Sequence, residues 1–264
     1  FLRGVVDTIL EKCNRFIRKL DQDLAAGVPT DMLEACIQLT VDVIVAVAFG
    51  EDWNVYDVSD GNEGLQTRNA MRDLTALIGV TMGNPLTRLN PLQYWRKRCL
   101  SHALERNMQK LVRRRLAKFQ ASKDLMQQKD ILSLTLSSVL QSKKTSQQAA
   151  GAISITNDDM ENMTSQLKTF YFAGHDTTAT TIAWAYWLLL QHPASLTRAR
   201  EEVETALGKD WTQAAMEGEE LISTTFEKLQ QCEYLDAVAR ETLRLYPPAA
   251  STRSRSNART RTCP

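Results

Sequence analysis

Residues 169–191 read TFYFAGHDTTATTIAWAYWLLLQ, a nearly unbroken run without proline that contains an internal conflict. Its second half, Thr177 to Leu190, is apolar enough for a buried helix. Its centre pairs two small residues, Ala173 and Gly174, with Asp176, Thr177, Thr178, Thr180 and Thr181, which are weak helix formers. A glycine inside a helix costs about 1 kcal/mol against alanine. A threonine hydroxyl in a helix bonds the carbonyl four residues back, which for Thr177 is that of Ala173, and such bonding bends the helix. Local conflict of this kind marks either a functional site or a close helix–helix crossing with satisfied hydroxyls. The spacing predicts one helix from Asn157, as N-cap, through Gln191, with Asp158, Asp159 and Glu161 in its first turn and His192-Pro193 as its stop. At 1.5 Å per residue it spans ~50 Å. The apolar run 177–190 is only 14 residues and follows Lys168, His175 and Asp176, so it is expected to be buried rather than to cross a membrane.

Outward from this segment, helical periodicity dominates. Val5, Ile9, Cys13, Phe16, Ile17 and Leu20 form an apolar stripe along residues 1–26, closed by Gly27-Val28-Pro29. Thr30 or Asp31 caps a second helix running through Val47 to Gly50, for which the Ile37, Val41, Ile44, Val45, Ala48 spacing favours helix over strand. Residues 51–64 are expected to be a loop, 65–82 and 94–127 helices, and 130–140 a short helix followed by a polar connector over 143–151. Helices over 195–207, 225–230 and 234–246 complete the series, and Pro247-Pro248 ends the last. Eleven glycines and seven prolines in 264 residues are few, which suits long elements. The fold class is therefore all-α, with one very long central helix.

Composition excludes disorder, collagen and disulfide scaffolds, and a formal charge of +1 gives no general attraction to nucleic acid or to an anionic membrane. The segment Arg96–Lys118 holds nine basic residues against Glu105 alone, but no aromatics interleave for base stacking, so it is expected to be a solvated helix face. Five dispersed cysteines and three histidines show no zinc spacing. The last 16 residues, 249–264, carry four arginines and no acid. Without them the charge of residues 1–248 becomes −3, and the tail is expected to be disordered and foreign to the fold.

A second feature is Glu241-Thr242-Leu243-Arg244, leading into Leu245-Tyr246-Pro247-Pro248. Glu241 and Arg244 at i, i+3 share a helix face and can pair. Taken together and in this order, FAGHDTT at 172–178 and ETLRLYPP at 241–248 resemble two signatures of the cytochrome P450 haem-thiolate monooxygenases, AGxDTT on the long I helix and ExxR on the K helix. Leu39 to Gly50 is similar to that family's E helix. The resemblance spans residue 1 to about 250, the D-to-K helical portion, with the family's β-sheets largely missing, so residues 1–248 are expected to be a partial domain.

The resemblance implies haem iron as cofactor, molecular oxygen as co-substrate, and insertion of one oxygen atom into a small apolar molecule. It implies an NADPH-dependent reductase as partner. It further implies an N-terminal anchor as the only route to a membrane, and a reticulum location for a eukaryotic member. By position, Thr177 corresponds to the hydroxyl that stabilises bound dioxygen and helps protonate it, and Asp176 to the acid of the proton relay. Ala173, Gly174 and Thr178 correspond to the haem and oxygen pocket, while Glu241 and Arg244 form the pair that braces the cysteine-ligand loop. His175 falls on the face away from the haem, in a structural role.

The family's FxxGxxxCxG loop has no counterpart in the twenty residues after Arg244, where Cys263 lies in a non-matching Arg261-Thr262-Cys263-Pro264. The WxxxR helix has none either, since Trp95 is followed four residues on by Cys99. The expectation is thus a monooxygenase by descent whose ligand cysteine, N-terminal region and haem-cysteine loop are not in these residues, and which is inactive in this form. The alternative is a non-catalytic helical pseudoenzyme or interaction fragment. A hydrolase using His175 and Asp176 fails, because adjacent helical residues point about 100° apart and no nucleophile pairs with them.

Overall fold

Asp31 shows how the chain starts its helices. In extended conformation, its carboxylate accepts hydrogen bonds from the Leu33 and Glu34 amides at 3.0 and 3.1 Å, satisfying donors that the first turn leaves open. A computed structural model describes residues 2–56, 62–83, 90–121, 130–146, 155–208 and 227–249. Within them lie α1 (Leu2–Ala25), α2 (Met32–Ile44) with a π-helical continuation over Val45–Phe49, α3 (Glu63–Gly83), α4 (Pro91–Ala121), α5 (Ile131–Ser146), α6 (Asn157–Gln191), α7 (Pro193–Leu207) and α8 (Glu233–Leu245). No strand occurs among the described residues, as an all-α class requires. The tail after Ala249, the ends of the 94–127 helix and of the 143–151 connector, and the start of the 225–230 helix lie outside them.

Several boundaries differ from expectation: α3 begins at Glu63 and α4 at Pro91, two and three residues before the expected starts, and three others have a clear physical reason. Thr156, not Asn157, caps α6: its hydroxyl accepts from the Asp159 amide at 3.2 Å while the Asp159 carboxylate accepts from the Thr156 amide at 2.8 Å. This reciprocal box uses an acid three residues on, which Asn157 would lack. Residues 143–146 continue α5 rather than forming a connector. Helix α7 begins at Pro193, whose missing N–H costs nothing at a first helical position.

Helix α6 is the axis. It packs most extensively on α2, and also touches α4, α5, α7 and α8, while α3 lies on α4 and α1 on α2. The main core gathers Val41, Val45, Phe49, Met108, Val112 and Tyr171, all essentially inaccessible. Phe16, Cys36, Leu39 and Ala179 form a smaller cluster between α1, α2 and α6. Met32–Phe49 is long and apolar enough to cross a membrane, yet half of it is buried in this core.

At the end of the π-helical segment Gly50 sits at φ +62°, a left-handed conformation that closes the helix. An added Cβ there would collide with Arg115 Nη2. Arg115 is buried and donates to the Phe49 carbonyl at 2.9 Å and to Asp130 at 2.8 Å, and Asp130 also accepts from the Ser133 amide and hydroxyl. One of the nine cations of Arg96–Lys118 is therefore a core clamp joining α4, α5 and α2. Of the others, Lys110 and Arg114 pair with Glu63, Arg96 pairs with Asp73, and Lys97, Arg98, Arg106 and Arg113 are exposed, as a solvated face requires.

Candidate functional site

The conflicted centre of α6 remains one continuous helix, and its faces separate the candidate residues. Thr177 donates to the Ala173 carbonyl at 2.7 Å, the back-bond expected from its spacing, and Thr181 repeats the pattern onto Thr177 at 2.9 Å. Ala173 is exposed and Thr177 half-buried, so this side of the helix offers a shallow, nearly flat strip with one fixed hydroxyl. Gly174 points elsewhere. A Cβ on it would meet Ile44 Cδ1 and Cγ1 at 2.7 and 2.8 Å, so its bare backbone admits α2 at the tightest point of the crossing. Of the small pair, only Ala173 belongs to the open strip. Thr178 is exposed, one helix position beyond Thr177.

His175 is buried against α2. Its Nδ1 lies 2.6 Å from the Tyr171 carbonyl, so Nδ1 carries the proton. Burial pushes the ring's pKa below its ordinary value, which keeps it neutral. Thr40 of α2 donates to the His175 carbonyl at 2.9 Å, a cross-helix bond that pins α6 one residue from Asp176. These contacts give His175 the structural surroundings expected of it. Asp176, half-buried, lies between the two faces, about 100° from Thr177 on one side and from His175 on the other.

The second motif arrives at the far end of α6. Trp184 stacks flat on Tyr246, with centroids 3.9 Å apart and planes within 4°, and Trp187 meets the same ring edge-on at 6.4 Å. The tyrosine of ETLRLYPP thus docks α8 on the central helix. Glu241 and Arg244 form a two-pronged pair, Nε and Nη2 each 2.6 Å from a carboxylate oxygen. That pairing holds Glu241 below and Arg244 above their usual pKa ranges. Sequence reasoning missed Glu202 of α7, whose carboxylate accepts the Tyr234 and Leu235 amides at 2.9 Å each and caps α8 from outside. Nothing in the local pattern announces a cap borrowed from another helix.

Ala173 is exposed and carries only a methyl, which leaves room beside it for a broad planar group. The described cysteines do not suit a thiolate ligand to such a group. Cys13 and Cys36 lie in the α1–α2 cluster, where burial raises both thiols, Cys36 to about 11. Burial also raises Cys232, and Cys99 lies exposed on α4. Among the described residues no group of three or more His, Cys, Asp or Glu side chains could hold a metal.

The family model described as cytochrome P450 matches residues 2–260. A cytochrome P450 monooxygenase of Aspergillus aculeatus, acrF, is 29% identical over 254 residues, covering 96% of this chain and 46% of that protein. Another, polC of Polytolypa hystricis, is 43% identical over 93 residues, 35% of this chain and 16% of that protein. A solved cytochrome P450DA heme domain superposes with a TM-score of 0.64 over 92% of this chain and 46% of its own, at 18% identity, a likeness of fold. The chain spans half or less of the length of these relatives.

Proposed function

The chain belongs to the cytochrome P450 family, and on that premise we propose that its α6 strip is the oxygen-side wall of a monooxygenase acting on a small apolar substrate. The observation that carries this is the Thr177 hydroxyl bonded to the Ala173 carbonyl on an open face, with Asp176 one position away. Haem, when bound, supplies the reaction with dioxygen, using electrons from a reductase. The chain's own residues do the rest. The Thr177 hydroxyl is held by its bond to the Ala173 carbonyl and can turn from it to a group beside the strip. A carboxyl group at Asp176 can pass a proton to that hydroxyl from the opposite side, the order of hydroxyl and acid that proton delivery into a water-poor site needs. Ala173 leaves room for a flat ring system to approach. Gly174, Ile44 and the Thr40 bond to the His175 carbonyl set the register of this stretch against α2. Glu241 and Arg244 brace the segment that follows α8, and Thr178 borders the pocket.

We further propose that these 264 residues taken alone do not bind haem through a thiolate, which the burial of Cys13, Cys36 and Cys232 and the non-matching sequence around Cys263 support. The test has two arms. The purified chain, mixed with haemin, reduced and treated with CO, is expected to lack the red-shifted Soret band of thiolate ligation. The product of the complete transcript carrying these codons is expected to show that band, and its Thr177→Ala variant to divert reducing equivalents from product to peroxide. A thiolate-type band in the first arm, or unchanged coupling in the second, overturns the reading. For a eukaryotic intact protein, the proposed location is the reticulum membrane.

A further inference from the structure

Four alternate carbonyls at the centre of α6 each accept a hydrogen bond from a side chain. Tyr171 receives the His175 ring at 2.6 Å, Ala173 the Thr177 hydroxyl at 2.7 Å, His175 the Thr40 hydroxyl at 2.9 Å, and Thr177 the Thr181 hydroxyl at 2.9 Å. Three of these donors belong to α6 itself and travel with it. Of the four, only Thr40 reaches in from another helix, so only its bond fixes this stretch relative to the rest of the molecule. The Thr40–His175 bond is buried, where a hydrogen bond is electrostatically stronger than in water.

The carbonyl that Thr40 holds belongs to the peptide unit whose nitrogen is that of Asp176, and a peptide unit is a rigid plane. The hydroxyl of Thr40 therefore aims the backbone from which the Asp176 side chain springs. A second contact lies one turn along α2, where Ile44 fills the space left by Gly174. That steric contact sets how closely α6 approaches, while the hydrogen bond, being directional, sets its rotation. A rotation of about 20° moves an atom at a radius of about 5 Å by about 2 Å, and a misplacement of about 1 Å can cost a reaction about a hundredfold. Thr40 has alternatives. Its hydroxyl also lies 3.0 and 3.2 Å from the Cys36 and Ile37 carbonyls of its own helix, the usual resting place of a helical threonine. One hydroxyl has one hydrogen to give, and the nearest acceptor is the one on α6.

We propose that Thr40 is a positioning residue, whose hydroxyl holds the peptide between His175 and Asp176 and so keeps the Asp176 carboxylate in a single orientation beside Thr177. Thr40 acts through Asp176 and is not itself catalytic. Its consequence for the reaction rests on the function proposed above; the orientation of Asp176 does not.

The first measurement uses the whole chain without haem and reads the Asp176 side-chain torsion from three-bond NMR coupling constants. The parent is expected to show one rotamer. Thr40→Val, which replaces the hydroxyl with a methyl of similar size, is expected to show averaging between rotamers, and Thr40→Ala serves as a second hydroxyl-free variant where valine does not fold. Thr40→Ser keeps the hydroxyl and should return the single rotamer, a rescue that loss of packing alone does not give. Averaging already present in the parent, or coupling constants unchanged in the hydroxyl-free variants, overturns the proposal. The second measurement uses the product of the complete transcript. There Thr40→Val is expected to bind substrate as the parent does and to lose product in favour of peroxide roughly tenfold, less than the ~10²-fold or more of an absent general acid, because the acid is misaimed rather than removed. Thr40→Ser should restore the yield. A Thr40→Val enzyme that keeps its product yield while Thr177→Ala loses it overturns the positioning role and leaves the oxygenase reading standing. If Thr177→Ala also keeps its yield, that reading fails, and the Asp176 coupling constants still decide the proposal.

Discussion

Replacing Gly174 with alanine sets two opposed terms against each other, and the geometry of the α2–α6 crossing says which wins. In an isolated helix the change is favourable by about 1 kcal/mol, because alanine loses less backbone entropy and covers the helix better. Here the new Cβ would sit 2.7 and 2.8 Å from two atoms of Ile44, well inside van der Waals contact. Ile44 belongs to the stretch that packs on the core, so it cannot swing freely into solvent. Overpacking of one methyl in such a site costs about 1–3 kcal/mol. The net expectation for Gly174→Ala is a loss of about 1 kcal/mol, with the midpoint of urea denaturation moving down. Truncating Ile44 to alanine leaves only its Cβ, 3.5 Å away, which is ordinary contact. In the Ile44→Ala background Gly174→Ala should therefore change sign and stabilise by up to about 1 kcal/mol. The four proteins form a double-mutant cycle whose coupling is about 2 kcal/mol. Stabilisation by Gly174→Ala in the parent chain, or a cycle with no coupling, would refute the assignment of this glycine to the helix crossing.

Three further outcomes follow from other parts of the molecule. Gly50→Ala should cost at least about 3 kcal/mol, because it adds left-handed strain of about 1 kcal/mol and pushes Arg115 off its buried partners; calorimetry should show the largest fall in melting temperature of any single glycine substitution described. Removing the Glu202 carboxylate with Glu202→Gln should free the first turn of α8 at a cost of about 1–2 kcal/mol, seen as faster amide exchange at Tyr234 and Leu235 while α1 is unaffected. His175 makes stability depend on pH. Its folded pKa lies below the unfolded value of about 6.5, so between the two the unfolded chain binds the extra proton and stability falls as pH drops through that window, by at most ~1.4 kcal/mol per pH unit. His175→Gln should flatten that part of the denaturation profile, and an unchanged slope would assign it to other groups.

How much of this was legible in the chain differs from residue to residue. The back-bond from Thr177 to the Ala173 carbonyl was readable because it is a property of five consecutive residues in a helix. So was the Glu241–Arg244 pair, whose partners are three residues apart. The N-cap of α6 was misplaced by one residue, because Thr156 and Asn157 are both good caps. The choice between them depended on the reciprocal bond from Asp159. The roles of Ala173 and Gly174 looked alike in sequence and diverged in space, since they point 100° apart and only one of them meets Ile44. Arg115 was indistinguishable from its eight basic neighbours until Asp130 and the Phe49 carbonyl were seen around it.

The sequence by itself determined the helical class, the long central helix and the two motifs, because each rests on periodicity or spacing within a few turns of chain, and the motifs together carried the resemblance to the family. The tertiary structure alone decided which side of α6 is open and which is crossed by α2. It alone revealed a cap on α8 supplied by α7 and a cation in the core. Those facts join residues 15 to more than a hundred positions apart. No local pattern encodes them, since they arise only when apolar faces have packed and buried polar groups must find partners across the gap.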